Sequence, residues 1–599
     1  SGIPTTQGFL CFHPGYKGKP LVFVGTVGLL PRRTEAGRLS HEKAARPGDL
    51  VVMVGGRVGL DGIHGATFSS EALTGGSPAT AVQIGDPITQ KKFTDAIVKE
   101  ARQRNLYSSI TDNGAGGISC SVAEMARECG GCRVDLEKVP VKYPGMAPWE
   151  IWISESQERM TLAVPPEKWP ELETLLRLRG VEATVIGEFT ASGRCKVTFA
   201  GEMVMDMDLD FLHNGLPRKQ LHTRAWPRAL APAILPQALP LPELFIAMFG
   251  RLNLASHAYV TTQYDFEVQG GTVLKPLLGK NQIDAFTTVV QPLPHSEKGV
   301  ALSQSLYPAV SDLDTYAAAV MAIDTAVRNL LAVGTPLGQI ALLDNFCWCS
   351  SDEPERLWQL KECARACYET AVVYGTPFIS GKDSMYNDFR GFTEAGQAVS
   401  ISVPPTILIS SIGVLPDVAR LRTFALVRPG DRLYLLGRSG KALGGSEYLA
   451  LLRERGLVAK ETSGLVPEFD PATALPLYEK LQAWLEAGRL RSLYPLAQGG
   501  LALAVGKGAL AEGLGLALEI PLAERPDLFL FNEYPGRFLV SLAPELSAAL
   551  ENDLADCGCL ALGEVLAENR ISIRQGGELC FVTEIEALLT AYRSTFAGF

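Results

Sequence analysis

The sequence lacks several features that would assign it to a specialised class of protein. Its 599 residues carry 55 Lys and Arg against 65 Asp and Glu, which gives a formal net charge of −10. Because no excess of basic side chains is available to neutralise phosphates, the composition argues against binding to a nucleic-acid backbone. No apolar run of about 18 residues is free of helix breakers, so we expect no membrane span.

Cysteine is also scarce, with 12 in the whole chain. That number is too small for a disulfide scaffold of this length. Close pairs such as Cys129 and Cys132 lie far from the other pairs, and no His clusters with them, whereas a structural zinc ion needs four ligands at recognised spacings. We therefore expect reduced thiols and a cytoplasmic location.

What the chain does contain is an internal repeat. Four landmarks recur in the same order at offsets of 376 to 383 residues. They are the Arg-Pro-Gly-Asp sequences at 46–49 and 428–431, the pairs Gly116-Gly117 and Gly499-Gly500, Glu155 with Arg159 and Glu533 with Arg537, and the segments 185–188 and 561–564. The order and the near-constant offset indicate two copies of one α/β domain.

The repeat divides the chain into four parts. Residues 1–214 hold the first copy, 215–258 form a Pro-rich linker, 259–420 form a domain of another pattern, and 421–599 hold the second copy. In the third part, small and apolar residues at helical spacing predict a helix over 315–333, between strands that include 339–343 and 406–414. This arrangement predicts α/β layers, with sites at the C-terminal ends of strands.

Two strand ends in the first and third parts carry polar residues suited to phosphate chemistry. Asp112 precedes Gly116-Gly117, so it supplies a hard oxygen for Mg²⁺ beside backbone N–H groups that can approach a phosphate. An ordinary Asp-Gly turn that caps a helix is the alternative. Gly381 and Lys382 follow another apolar run, but the Gly that a Walker P-loop requires is absent, so only a Lys near nucleotide phosphates remains plausible on charge grounds.

A polar cluster at 154–159 interrupts an apolar run, which is unusual for a simple core strand. A surface edge strand is the alternative explanation. Taken together with the other motifs, this cluster resembles the phosphoribosylformylglycinamidine synthase family. The residues that carry the resemblance lie at 61–66, 83–87, 112–117, 154–160 and 381–385.

The resemblance implies a fold and a reaction. The fold would be that of the synthetase superfamily, α/β in class, with A and B domains and a duplicated B domain. The reaction would be an ATP-dependent C–N ligation in purine biosynthesis, in which formylglycinamide ribonucleotide becomes formylglycinamidine ribonucleotide. ATP would phosphorylate the amide oxygen, and neutral ammonia would displace the phosphate.

The resemblance also implies roles for individual residues. The ribonucleotide would contact Gln83, Glu155, Ser156, Gln157 and Ser384. ATP would lie near Asp344, Gly381 and Lys382, and Asp112 would hold Mg²⁺.

Two departures from the family pattern qualify these expectations. The family's first A domain, which supplies a catalytic His, has no counterpart here, so we expect a truncated chain or one piece of a split enzyme, whose activity alone is doubtful. Asp284 and Asn329 match the Mg²⁺ ligands of an auxiliary nucleotide site. Thr325, Pro495 and Ala497 replace residues that this site needs, so we expect it to be empty or weak.

No glutaminase triad is evident, so the resemblance implies a separate glutaminase subunit and a small accessory subunit as partners. A non-catalytic scaffold or nucleotide-binding protein derived from the synthetase is the competing hypothesis. Ammonia- and ATP-dependent amidine formation, with and without an added A domain, would distinguish the two. Selenophosphate and thiamine-phosphate enzymes of the same superfamily are about half as long and lack the cluster at 155–157.

Overall fold

A computed structural model describes residues 2–35, 37–69, 71–72, 85–393 and 395–599. These residues separate into two compact units. One unit comprises Gly2 with the described residues of Val22–Gln220 and Arg390–Val399, and the other comprises Ile3–Leu21, Leu221–Phe389 and Ser400–Phe599. The first copy of the repeat therefore lies in one unit and the second copy in the other.

The first copy is a sheet flanked by helices. Its strands are β1 (Leu50–Gly55), β2 (Ser109–Asp112), β3 (Cys132–Asp135), β4 (Arg159–Val164), β5 (Ala183–Phe189), β6 (Arg194–Phe199) and β7 (Glu202–Asp208). Its helices are α1 (Gly65–Ser69), α2 (Pro87–Asp95), α3 (Gly117–Cys129), α4 (Pro148–Ile153), α5 (Trp169–Leu178) and α6 (Leu209–Asn214). Within the described residues the strand order is β2-β4-β1-β5-β3-β6-β7.

The apolar run of β1 is continuous because both faces of the strand are covered. Val51 and Met53 pack into one core cluster, and Val52 and Val54 pack into another. Since successive side chains of a strand point to opposite faces, a strand buried on both sides needs apolar residues at every position.

The third part of the chain holds a second sheet. Its strands, with those of the short ribbons beside it, are β8 (Thr272–Leu274), β9 (Leu277–Leu278), β10 (Ile283–Asp284), β11 (Thr288–Val290), β12 (Gly299–Ser305), β13 (Ile340–Cys347), β14 (Phe378–Ser384), β15 (Phe389–Phe392), β16 (Ala398–Ile401) and β17 (Thr406–Leu415). The helices from the linker onward are α7 (Leu241–Phe249), α8 (Ala258–Thr261), α9 (Pro308–Ser311), α10 (Thr315–Ala332) and α11 (Pro354–Tyr374). Among the described residues the main sheet has the order β14-β13-β17-β12-β11-β8.

Helix α10 is the buried centre of this domain. It ends one residue before the end predicted from its pattern of small and apolar residues. The Asp314 side chain accepts a hydrogen bond from the Ala317 N–H and caps the first turn. Within the segment predicted as a linker, α7 is a short apolar helix whose Phe245 and Phe249 are fully buried.

The second copy repeats the first. Its strands are β18 (Arg432–Leu436), β19 (Ser492–Pro495), β20 (Gly515–Ile520), β21 (Phe538–Leu542), β22 (Cys559–Leu566), β23 (Arg570–Gln575) and β24 (Glu578–Glu584). Its helices are α12 (Glu447–Glu454), α13 (Pro471–Glu486), α14 (Gly500–Glu512), α15 (Pro526–Phe531), α16 (Ser547–Asp553) and α17 (Ile585–Ser594). Its strand order in the described residues, β19-β21-β18-β22-β20-β23-β24, matches that of the first copy strand for strand.

The match extends to a local irregularity in the central strands. The pairing of β1 with β5 shifts register at Val51/Val52, and that of β18 with β22 shifts at Leu433/Tyr434. A side chain at Gly187 in β5 would overlap the backbone of β3, and one at Gly563 in β22 would overlap that of β20. The predicted duplication is therefore confirmed. No helix in the described ranges combines the length and apolarity that crossing a bilayer requires.

Candidate active site

Asp112 is the last residue of β2, and the loop after it leads into α3. Its carboxylate is exposed, and Oδ1 accepts a hydrogen bond from the Gly114 N–H at 2.9 Å. A side chain at Gly114 would crowd that oxygen, and one at Gly117 would overlap the Ser154 carbonyl oxygen. Close approach therefore requires these glycines, and it brings the N-terminus of α3 next to an accessible carboxylate.

Asn113 lies beneath this loop and is 5% exposed. Its Oδ1 accepts hydrogen bonds from Ser121 Oγ at 2.5 Å and from Thr161 Oγ1 at 2.8 Å. Its Nδ2 is buried and has no hydrogen-bond partner among the described residues. Leaving a buried donor unpaired costs free energy, so the two hydroxyl donors hold this Asn in place against a local penalty.

The segment between α4 and β4, residues 154–158, is a loop bonded to a neighbouring loop rather than an edge strand. Ser154 and Ser156 are fully buried, and Ser154 Oγ donates to the Gly59 carbonyl at 2.7 Å while Gly59 N–H donates to Ser156 Oγ at 2.9 Å. Arg159 is also buried and donates to the Ser156 and Ser154 carbonyls at 2.7 and 2.5 Å. Burial lowers the Arg159 pKa to about 10. Ser154 and Ser156 therefore hold this segment against the loop at Gly59.

Glu155 lies in the same segment, and its carboxylate accepts hydrogen bonds from two backbone amides. Its Oε1 accepts from the Gly116 N–H at 3.1 Å, and its Oε2 accepts from the Ala66 N–H at 3.0 Å. Gln157, in contrast, is exposed, and its Nε2 donates to the Glu155 carbonyl at 3.1 Å. Of the predicted substrate residues in this segment, Gln157 is the one whose side chain faces solvent. Gln83 lies outside the described residues.

The predicted nucleotide residues of the other unit lie on two adjacent parallel strands. Asp344 on β13 is paired with Gly381 on β14, and Lys382 follows Gly381 along β14. A side chain at Gly381 would overlap the Asp344 carboxylate, so this glycine is required by close approach. Burial raises the pKa of Asp344, and the Asp383 carboxylate adds to the effect.

Lys382 and Ser384 differ in their surroundings. The Lys382 side chain is exposed on the edge strand of the sheet. Ser384 is buried, and the Asn387 Nδ2 donates to its Oγ at 3.0 Å. The sequence motif thus places one accessible cation and one buried hydroxyl along the same strand.

Comparison with known proteins assigns these loops to a family. The AIR synthase related protein C-terminal domain matches residues 46–200 and 428–576, and the N-terminal domain matches 287–403. The phosphoribosylformylglycinamidine synthase subunit PurL of Deinococcus radiodurans is 33% identical over 100% of this chain and 79% of its own length. That of Anaeromyxobacter dehalogenans is 32% identical over 94% of this chain and 74% of its own length. The chain belongs to the phosphoribosylformylglycinamidine synthase family.

Membership of this family confirms the resemblance carried by the motifs. It places the chain among the ATP-dependent ligases of purine biosynthesis that convert formylglycinamide ribonucleotide to formylglycinamidine ribonucleotide. The fold agrees: the structure of T. maritima PurL complexed with FGAR has a TM-score of 0.63 at 23% identity, over 88% of this chain and 73% of that one. The structure of PurLQS from Thermotoga maritima has a TM-score of 0.60 at 21% identity, over 88% of this chain and 72% of that one.

The residues that resemble the auxiliary site of phosphoribosylformylglycinamidine synthase are engaged within the protein. Asp284 Oδ2 accepts from the Tyr592 hydroxyl and from the His257 N–H. Asn329 Nδ2 donates to Ser303 Oγ at 2.9 Å. In the described part of the chain, no group of three or more His, Cys, Asp and Glu side chains is arranged to hold a metal ion.

One acidic group of the first copy was not singled out by sequence reasoning. Glu158 has a left-handed backbone conformation (φ +56°), and its carboxylate accepts from the Asp86 backbone N–H. Burial raises its pKa, and the carboxylates of Asp86 and Asp61 raise it further. Lys142 pairs with Asp61 at 2.7 Å. All but Lys142 belong to quoted motifs, but nothing in the sequence says that residues so far apart are neighbours.

Proposed function

We propose that this chain catalyses the synthetase step itself, with Asp112 at the centre of its phosphate chemistry. The observation that carries the proposal is the accessible Asp112 carboxylate at the end of β2, bonded through one oxygen to the Gly114 N–H of the glycine-rich loop. Gln83, Gln157 and Ser384 are proposed to contact the ribonucleotide, and Asp344, Gly381 and Lys382 to lie near ATP. Glu155 and Ser156 are proposed to belong to the same substrate-binding segment, where their side chains are also bonded to backbone groups of neighbouring loops.

The chemistry explains why such residues are needed. An amide oxygen is a poor leaving group until it is phosphorylated. In the first step the amide oxygen would attack the γ-phosphorus of ATP and release ADP. In the second, ammonia would add to the amide carbon and inorganic phosphate would depart. Both steps move negative charge between oxygens, so fixed cations and N–H donors favour them.

Asp112 fits a magnesium ion of the kind that accompanies a nucleotide. Mg²⁺ commonly keeps several waters and uses one or two carboxylates together with substrate phosphates. A single exposed carboxylate with one oxygen bonded to Gly114 meets that requirement without a cage of protein ligands. When bound, the ion would neutralise charge on the phosphates. Lys382 would supply a further positive charge to the same class of group.

Ammonia is proposed to come from a separate glutaminase subunit, with a small accessory subunit in the complex. The support is the PurLQS structure of the T. maritima relative. All 12 cysteines are free thiols, which suits the reducing cytoplasm proposed as the location. No residue of this chain is proposed as the general base.

The test is amidine formation from the ribonucleotide, ATP and ammonium chloride. It is run with the chain alone and with an added A-type domain from the Deinococcus relative. We expect Asp112→Asn to lower kcat/KM by about 100-fold, since a lost group that stabilises phosphoryl charge typically costs this much. Glu137→Gln, an exposed carboxylate on the same unit, is the matched control and should leave the rate unchanged.

Two outcomes would contradict the proposal. One is a rate for Asp112→Asn within threefold of the unaltered protein. The other is ribonucleotide binding with no turnover under any of these conditions, which would favour the derived scaffold.

A further inference from the structure

Asp284, at the end of β10, supplies the one carboxylate among the residues that resemble the auxiliary metal site. Its Oδ2 accepts hydrogen bonds from the His257 backbone N–H at 3.1 Å and from the Tyr592 hydroxyl. The Tyr592 oxygen in turn accepts from the Asp284 backbone N–H at 3.1 Å. The protein therefore fixes one oxygen of this half-buried carboxylate, whose negative charge still has to be balanced.

A lysine of the second copy places a positive charge beside the same tyrosine. Lys507 on α14 is half-buried, and its Nζ lies 5.3 Å from the centroid of the Tyr592 ring. At this distance an ammonium group is attracted to the face of an aromatic ring. Burial lowers the pKa of Lys507, and the Asp284 carboxylate opposes that shift because it favours the charged form.

The three side chains form a connected path from a cation to an anion. The Lys507 ammonium lies against the ring of Tyr592 on α17, and the hydroxyl of that ring donates to Asp284. A cation at the ring draws electron density from it, so the hydroxyl becomes a stronger hydrogen-bond donor. Tyr592 thus carries the effect of the lysine charge to the carboxylate, and the path joins α14, α17 and β10.

The first copy has the opposite charge at the position that corresponds to Lys507. Glu124 stands seven residues after Gly117 in α3, and Lys507 stands seven residues after Gly500 in α14. Glu124 is exposed and accepts a hydrogen bond from Cys120 Sγ at 3.2 Å. The reversed sign therefore accompanies a change of surroundings, from an accessible helix face to one packed near a carboxylate.

A magnesium ion does not fit beside this group. Mg²⁺ demands a near-octahedral set of oxygen ligands, whereas the site offers one carboxylate with one oxygen already bonded to the protein. An ammonium so close to that carboxylate also repels a divalent cation. We propose that Lys507 is the resident cation of this site and balances Asp284 through Tyr592 in the place of a metal ion. The second copy then packs against β10 without any divalent cation, whatever reaction the chain catalyses.

The experiment measures the melting temperature of the full chain at a fixed scan rate, with EDTA or with excess MgCl₂. Lys507→Met keeps the apolar stem and removes the charge, so the melting temperature should fall by about 2–4 °C. Asp284→Asn in the Lys507→Met background removes the unbalanced carboxylate, so the double variant should lose less than the sum of the two single losses. Excess MgCl₂ should leave the unaltered protein within about 1 °C of its value in EDTA.

Two further variants separate charge from shape. Lys507→Arg keeps the cation and should retain most of the melting temperature, and Lys460→Met, at an exposed lysine of the same copy, should leave it unchanged. Equal losses in Lys507→Arg and Lys507→Met, or strictly additive losses in the double variant, would overturn the pairing of Lys507 with Asp284. Stabilisation of the unaltered protein by MgCl₂ that disappears in Asp284→Asn would show that a metal ion, and not Lys507, balances the carboxylate.

Discussion

The two copies of the B-type domain share one frame, which is the sheet with the loops at its strand ends, and differ in the polar side chains on those loops. In both copies a buried Arg donates to backbone carbonyls in the segment before the fourth strand. Arg159 donates to the Ser154 and Ser156 carbonyls in the first copy. Arg537 donates to the Asn532 and Tyr534 carbonyls in the second. The frame is independent of the polar groups that the first copy carries at its strand end. The same strand order therefore forms in both copies, with and without those polar groups.

In the second copy the strand end that corresponds to Asp112 is buried, and the residue after it is bonded to helix α10. Arg328 of α10 donates to the Leu496 carbonyl at 2.6 Å and to the Arg537 carbonyl at 3.3 Å. Its Nε is paired with Asp324 at 2.7 Å, and both side chains are about 1% exposed or less. Asp324 also accepts from the Tyr374 and Tyr478 hydroxyls. The Arg328 guanidinium therefore donates hydrogen bonds to two backbone carbonyls of the second copy, at the positions that correspond to residues 113 and 159 of the first.

Breaking this contact should give the largest effect on stability. In Arg328→Met the Asp324 carboxylate stays buried without its cation, so the free energy of unfolding should fall by about 3–5 kcal/mol. Chemical denaturation would measure it. The double variant with Asp324→Asn removes the stranded charge and should recover part of the loss. A change below about 1 kcal/mol in Arg328→Met would show that the pair does not hold the second copy in place.

Much of the frame was predictable because it depends on backbone geometry that the sequence records. The double glycines mark left-handed helix starts, and the glycines at 187 and 563 mark close strand contacts. The periodicity of α10 gave its bounds to within one residue. Such positions tolerate few residue types, so they persist in both copies and can be found by comparing the chain with itself.

The use of polar side chains was harder to predict. Ser156 and Glu155 lie in a motif with exposed Gln157, and the motif does not say which atoms are engaged with backbone groups. The pairing of Arg328 with carbonyls of the second copy joins residues more than 150 positions apart. A hydroxyl or carboxylate looks the same in sequence whether it binds substrate or a neighbouring loop, and only its partners distinguish the two.

The buried Glu533 of the second copy should make the free energy of unfolding depend on pH. Burial, together with the nearby Glu447 carboxylate, raises the pKa of Glu533 to about 8, against an ordinary value of 4.5. Between these values the folded state keeps a proton that the unfolded state releases, so stability is highest at low pH and falls as pH rises toward 8. Glu533→Gln should remove this slope and raise the free energy of unfolding at pH 8.5 by about 2–4 kcal/mol.

Denaturation at a series of pH values would test this, with exposed Glu524→Gln as the control. Parallel pH profiles for Glu533→Gln and the unaltered protein would mean that Glu533 is ionised in the folded state. In that case Arg251, which pairs with Glu447 at the same cluster, would be its counter-ion.

The smallest effect is expected at the residues that resemble the auxiliary nucleotide site, which lie in the third part of the chain and in the second copy. The Asp284 carboxylate already accepts from the Tyr592 hydroxyl and the His257 N–H, and Asn329 is bonded to Ser303. A magnesium ion would have to displace these partners, and Pro495 and Ala497 supply no carboxylate or hydroxyl to repay the loss. Equilibrium dialysis with ADP and Mg²⁺ should give no more than one nucleotide per chain, unchanged in Asp284→Asn. Two nucleotides per chain, with one lost in the variant, would mean that the auxiliary site still functions and that the two copies differ less than their strand ends indicate.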